Sequence, residues 1–175
     1  YGLTTNQRNP VADANRTWTI DRKPSMPELT IRKITAQDRP DWDRMFTAYL
    51  TFYETSRPKE LYDCSFARLL SGEDNEFKGL IALKDGQAIG FTHYLYHRHM
   101  WSVENTCYLQ DLYVDPEIRG TGAGRALIEA VHDEATKAGA SGVYWLTQDF
   151  NETARKLYDR VGQLTPFIRY NKPIG

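Results

Sequence analysis

The sequence predicts a single α/β domain on a mixed sheet, and three observations carry that expectation. Apolar runs with strand alternation occur before, between and after stretches with helical spacing, the order that lays helices on the faces of a sheet. Asp85 and Gly86 separate two such runs, Gly79 to Leu83 and Ala88 to Tyr96, and Asp-Gly is among the strongest short hairpin signals, so the sheet begins antiparallel. Further on, a strand reaching Val114, a glycine loop and a helix follow one another, so the sheet turns parallel there.

Taken in order, residues 1–27 stand apart: they are rich in Asn, Arg and Thr, carry Pro10, Pro24 and Pro27, and lack apolar periodicity. They read as an N-terminal extension or expression remnant, and residues 28–175 as one domain. Leu29 to Ile34 alternates and predicts the first strand. Asp38 is placed to cap a helix whose Trp42, Met45, Phe46, Tyr49 and Leu50 share one face. Pro58 breaks the chain before a second helix, about Glu60 to Leu70, and a charged loop with Gly72 leads to the hairpin. The helix opening near Gly122 has Leu127, Ile128, Val131 and Ala135 on one stripe and closes near Gly139. A strand from Val143 to Thr147, a helix from Asn151 to Val161 and a last strand near Phe167 to Tyr170 complete the expectation.

Composition sets outer bounds. With 175 residues, 41% hydrophobic and 26% charged, the chain can bury a core without metals or disulfides. A net charge of −1 gives no reason to expect nucleic acid or membrane as partner. Cys64 and Cys107 are far apart and lack His neighbours at ligand spacing, so no metal site and a reducing compartment, the cytoplasm, are expected.

The segment from Arg119 through Gly120, Thr121, Gly122, Ala123 and Gly124 to Arg125 carries the chemistry. Glycines let a backbone bend close to a ligand, and the free N–H groups and dipole of a helix start favour an anion. A P-loop would need Lys after its last glycine, and none follows. The dinucleotide and kinase loops each need a sixth-position glycine, where Arg125 stands. What remains is Arg-x-x-Gly-x-Gly after a strand, a phosphate cradle for some phosphorylated cofactor.

That loop, with the strand Tyr108 to Pro116 before it and the later segment Asn151, Ala154, Leu157, Tyr158 to Gly162, resembles the two signatures of the GNAT N-acetyltransferase superfamily. The resemblance runs from about Leu29 to Pro173. Gly90 to Tyr96 with Tyr108 to Asp111 is similar to polyamine and diamine acetyltransferases, and Val143 to Tyr158 with Lys172 and Pro173 to the histone and D-amino-acid branch. It implies a three-layer fold with a mixed, mostly antiparallel sheet flanked by helices, acetyl-CoA as cofactor, and a homodimer. It also implies a cofactor site of Leu112, Tyr113, Val114, the loop from Arg119 to Arg125, Asn151, Ala154, Leu157 and Tyr158. Main-chain groups of Leu112 and Val114 would pair with the pantetheine arm as an added strand does.

The implied reaction moves acetyl from acetyl-CoA to a primary amine by direct attack on the thioester, with a polyamine, diamine or amino acid as acceptor. Peptide lysine transfer and a non-catalytic acyl-CoA sensor are the alternatives. Tyr158 would give the leaving thiolate a proton, although Ala154, Leu157, Tyr158 and Val161 equally form a core stripe. Asn151 reads as a helix cap or a cofactor contact. Polyamine acetyltransferases carry Glu in the central strand where this chain has Gln110, which cannot take a proton at neutral pH. Asp111 is the adjacent ionisable group, and strand alternation sends it to the face opposite Gln110. His93 reads as an ordinary half-buried strand residue or a relay. Tyr49, Phe52, Tyr53 and Glu54, with Asp63, are placed to line an aromatic, acidic pocket for a cationic acceptor.

Overall fold

A computed structural model describes residues 28–118 and 120–174, so the expectations for residues 1–27 and for Arg119 lie outside the described residues. In chain order the elements are β1 (Leu29–Lys33), α1 (Arg39–Phe52), α2 (Lys59–Leu70), β2 (Lys78–Lys84), β3 (Gln87–Arg98), β4 (Asn105–Val114), α3 (Ala123–Lys137), β5 (Val143–Trp145) and α4 (Glu152–Val161). The strands lie side by side in the order β1-β2-β3-β4-β5. Pairings from β1 to β4 are antiparallel, and β4 with β5 is parallel.

Asp85 and Gly86 make the β2–β3 turn with φ of 51° and 82°, the two positive values a tight right-twisted hairpin needs. The sheet has helices on both faces. Trp42, Met45 and Phe46 of α1 and Phe66 of α2 pack with Ile81, Ala88 and Phe91 on one side. On the other, Leu127, Ile128, Val131 and Ala135 of α3 pack with Leu80, Tyr94, Cys107 and Leu109, and Leu157, Tyr158 and Val161 of α4 join their margin. Each fully buried side chain of this kind contributes roughly 1.5–3 kcal/mol, so the two apolar stripes read in the sequence are what hold the helices to the sheet.

Three expectations need correction. β5 ends at Trp145 and not at Thr147, because the chain there leaves β4 and heads outward to α4. Phe167 to Tyr170 forms no strand: no neighbouring strand is present at that edge among the described residues, and Phe167, Ile168 and Tyr170 are 79%, 77% and 89% exposed. Asp38 stands at the N-cap of α1, but its carboxylate makes no cap bond to that helix. It accepts from both terminal nitrogens of Arg32 at 2.7 Å and from the backbone N–H and hydroxyl of Thr35 at 2.7 and 2.9 Å.

These bonds, led by the Arg32 guanidinium, hold the Asp38 carboxyl down at about 2 against an ordinary 3.8. A carboxyl with a depressed folded pKa contributes stability above its unfolded pKa and loses it as pH falls through the folded value. Asp38→Asn is therefore expected to lower unfolding free energy at pH 7 by about 1–2 kcal/mol, Arg32 being partly solvated. Urea titrations should show the gap to wild type closing as pH falls from about 4 toward 2.

Candidate active site

The site begins where the parallel pairing stops. β5 pairs with β4 only at Cys107, Tyr108 and Leu109, opposite Val143, Tyr144 and Trp145, while β4 runs on to Val114. Past Leu109 the two strands part, and an opening lies between the end of β4 and the start of α4.

A bulge at the same point decides what faces that opening. Tyr94 pairs with Leu109 and its neighbour His93 with Asp111, so Gln110 is the extra residue on β4. Before the bulge, Cys107 donates its N–H toward β5, to Gly142 O at 2.9 Å. After it, Asp115 donates toward β3, to Ile89 O at 2.8 Å, and Asp111 O accepts from the Thr92 hydroxyl of β3 at 2.8 Å. Main-chain direction alternates along a strand, so Leu112 and Val114 turn their N–H and C=O groups toward the opening. Side chains switch as well. Leu109 lies in the α3 cluster, whereas Asp111, two residues on, meets α1 on the other face. Simple alternation, which would put Leu109 and Asp111 on one face, is thus broken, and Gln110 is exposed at the bulge.

At one end of the opening stands the glycine loop. Gly120 and Gly122 have φ of 84° and 83°, a region that a side chain disfavours. Gly122 is the N-cap of α3 and has no side chain to offer, so the first amides of that 15-residue helix are left for another acceptor. A Cβ on Gly124 would come within 3.3 Å of Leu157 Cδ2, so glycine there lets α3 and α4 close together. Uncapped amides at a helix start and turned-out strand groups beside them suit a phosphate and an amide-bearing arm. Arg125 lies on the exposed side of α3, 3.5 Å from Glu129.

The α1 face supplies a carboxylate. Asp111 Oδ1 accepts from the Tyr49 hydroxyl at 2.8 Å, and Oδ2 meets His93 Nδ1 at 2.9 Å. His93 Nε2 accepts from the Trp42 indole N–H at 2.8 Å. Burial first, then the Asp111 charge, push the Tyr49 hydroxyl far above its ordinary range, so it remains a donor. Tyr53 continues this aromatic row, its ring 5.0 Å from that of Tyr49. Glu54 ends α1 at a φ of 53°, the left-handed position that glycine usually takes.

Tyr158 reaches the opening from α4, with its ring 5.5 Å from Trp145. Burial, followed by the Tyr53 phenol, pushes its hydroxyl up to about 12. That coupling spans the two layers of the fold. Asn151 caps α4 by accepting the Ala154 N–H at 3.2 Å, so its side-chain oxygen serves the helix.

The structure thus sets Asp111 beside Tyr49 on the α1 face, Tyr158 beside Trp145 on the α4 side, and the glycine loop between the end of β4 and α3. It leaves Asp63 outside: that carboxylate is bound by Arg39 and Lys59 on the outer surface, both at 2.6 Å. His93 is buried rather than half-buried. Its link to Trp42, 51 residues earlier, had no local signal to find it by, since a lone strand His and a helical Trp look the same unpaired.

Comparison with known proteins gives the family. The model of the Acetyltransferase (GNAT) family matches residues 42–163. The D-amino-acid N-acetyltransferase HPA3 of Saccharomyces cerevisiae is 35% identical over 146 residues, 82% of this chain and 90% of that protein. The thialysine N-epsilon-acetyltransferase of Mus musculus is 27% identical over 145 residues, 78% of this chain and 85% of that protein. Among solved structures, an aminoglycoside N-acetyltransferase AAC(6')-Iy in complex with CoA superposes with a TM-score of 0.73 at 22% identity, over 86% of this chain and 99% of that one. The chain belongs to the GNAT acetyltransferase family, a class of acetyl-CoA-dependent enzymes.

Gly122→Asp sets a negative charge at the head of α3 and should abolish acetyl-CoA binding in calorimetry. Gly139→Asp is the matched control, since its φ of 67° carries similar backbone strain at the other end of the helix. It should lose stability but keep affinity; equal loss in both variants would refute a cradle at Gly122.

Proposed function

We propose that this chain transfers acetyl from acetyl-CoA to the primary amine of a small molecule by direct attack, and that the acceptor is an amino acid. The observation that carries the reading is the opening past Leu109, with the uncapped helix on one side of the sheet and the Asp111 carboxylate on the other.

Acetyl-CoA supplies an activated acyl thioester. The loop from Gly120 to Arg125 and the main chain of Leu112, Tyr113 and Val114 would hold it, with Ala154, Leu157 and Asn151 of the α4 end beside them. Direct transfer accords with the cysteines: Cys107 is buried in the α3 cluster and its thiol is pushed up to about 12 by burial, while Cys64 is exposed on α2, in the layer opposite α3 and α4. An amine reaches the site as an ammonium and must lose a proton before it can attack. In our reading Asp111 binds that ammonium and takes the proton, Tyr53 and Glu54 border the acceptor, and Gln110 at the bulge offers it an amide. Backbone strain at Glu54, of order 1–3 kcal/mol, also falls at this border.

Tyr158 serves the other end of the reaction. A hydroxyl at about 12 facing a thiol near 8.5 makes full proton transfer uphill by roughly 5 kcal/mol, so Tyr158 acts chiefly as a fixed hydrogen-bond donor to the departing sulfur. Tyr158→Phe is expected to lower kcat about a hundredfold with little change in KM for acetyl-CoA, read by release of free thiol. An unchanged kcat would remove Tyr158 from the reaction.

An amino acid is favoured over a diamine because a cation, Arg169, lines the same cavity as Trp145 and Tyr158, while Asp111 supplies an anion from the α1 side. A zwitterion fits such a pair; a diamine would want a second carboxylate. The relatives named above for D-amino acids and thialysine act on acceptors of this class. In a thiol-release panel, amino acids should exceed diamines in kcat/KM by at least about tenfold, and Arg169→Ala should erase the difference. Better use of putrescine-like diamines would overturn this choice, and a melting-temperature rise with acetyl-CoA but no turnover on any amine would point to a sensor.

We further infer a homodimer joined through the exposed apolar residues Leu164, Phe167, Ile168 and Tyr170 beyond α4. Light scattering should give twice the 20.2 kDa of one chain, and removal of residues 164–175 should halve it. A monomer at micromolar concentration would exclude the pairing.

A further inference from the structure

Trp42, His93, Asp111 and Tyr49 form one hydrogen-bonded chain from the centre of the α1 layer to the opening. Its inner end is an indole with 0% exposure, and the imidazole is 5% exposed. An indole N–H can only donate. His93 Nε2 must therefore present its lone pair to Trp42, the ring hydrogen must sit on Nδ1, and His93 must donate to Asp111. The contact with Asp111 is thus a hydrogen bond from a neutral ring and not an ion pair, since a proton on Nε2 would point at the indole N–H.

We propose that Trp42 and His93 are positioning residues that act through Asp111: the indole fixes the His93 tautomer, and the fixed imidazole, with Tyr49, orients the carboxylate that receives the amine. The inference rests on the assignment of Asp111 as the amine-binding group and adds two residues outside the opening. It also takes His93 out of contention as a base, because the lone pair a base needs is held by an indole in the core.

The surroundings leave the ring little freedom. Phe91 stacks on His93 at 4.6 Å, and Phe46 lies edge-on at 5.9 Å. Asp111 from β4 and Tyr49 from α1 are the titratable groups on this chain, and Tyr62 of α2 packs on Trp42 and Phe46 behind it. The Arg39 guanidinium lies over the far rings, 5.9 Å from Trp42 and 5.1 Å from Phe66. Each Asp111 oxygen meets one of these two donors, and the carboxylate side chain keeps 14% of its surface exposed.

Nitrogen-15 NMR of labelled full-length protein at pH 8 tests the tautomer directly, with His93→Asn identifying the His93 signals. A pyrrole-type Nδ1 and a pyridine-type Nε2 are expected in wild type, with loss of that preference in Trp42→Phe, which keeps an aromatic ring but has no N–H. In thiol-release assays Trp42→Phe should raise KM for the amine about tenfold or more and leave KM for acetyl-CoA unchanged. His93→Asn, whose amide can still donate to Asp111, should recover most of the amine kcat/KM that His93→Leu loses. An Nε2–H tautomer in wild type overturns the proposal, as does an unchanged amine KM in Trp42→Phe or equal losses in His93→Asn and His93→Leu. If wild type releases no thiol with any amine, the transfer reading fails, while the NMR still decides the tautomer.

Discussion

The parting of β4 from β5 after Leu109 is the constraint on which the rest of the structure depends. A sheet satisfies its main chain by pairing each strand with the next, and a strand that loses its neighbour inside the fold leaves donors and acceptors that need another partner. Here the loss falls between the two helical layers, beside a helix whose first amides also lack a cap. Two sets of backbone groups without a partner among the described residues are thereby gathered in one place. An extended molecule with amides along its arm and phosphates at its end answers both, which is why the fold calls for a ligand of this shape whatever side chains line it.

The bulge at Gln110 completes the arrangement. Without the register shift, Leu112 and Val114 would direct their main chain to β3, and Asp111 would share the α3 face with Leu109. With it, one strand offers backbone to the cofactor side and a carboxylate to the α1 side. The residue type at 110 matters less to this geometry than the register shift it occupies. That bears on the Glu-to-Gln difference from polyamine acetyltransferases: an acid one position on is present, and it faces α1.

How much of this was legible in the sequence depends on the range over which each signal acts. The helix stripes of α1 and α3, the Asp85 and Gly86 turn and the glycine loop are local patterns, and the chain folds as they indicate. Asn151 was readable as a cap because capping is a contact between near neighbours. What could not be read is what depends on distant partners. The bulge arises from the fit of β3 to β4 and leaves an ordinary alternating string behind it. Asp38 looked like a helix cap because its rival, Arg32, acts from another element. Asp63 looked like a pocket carboxylate until Arg39 and Lys59 were found around it. Phe167 to Tyr170 has the aromatic and β-branched residues of a strand, yet composition supplies no neighbour to pair with.

The proposed reaction divides its proton chemistry between two layers. Asp111 is supported wholly from the α1 side, by Tyr49 and His93, whereas Tyr158 belongs to α4 and the opposite cluster. A group that holds an ammonium as an anion and one that lends a hydrogen bond have opposite requirements. The first needs donors around an anion; the second needs a dry setting in which its own anion is unfavourable, as burial makes the Tyr158 phenolate. Within a single pocket these demands conflict, because donors that stabilise a carboxylate would also stabilise a phenolate. Separate layers, on opposite faces of the sheet, let each be met on its own side.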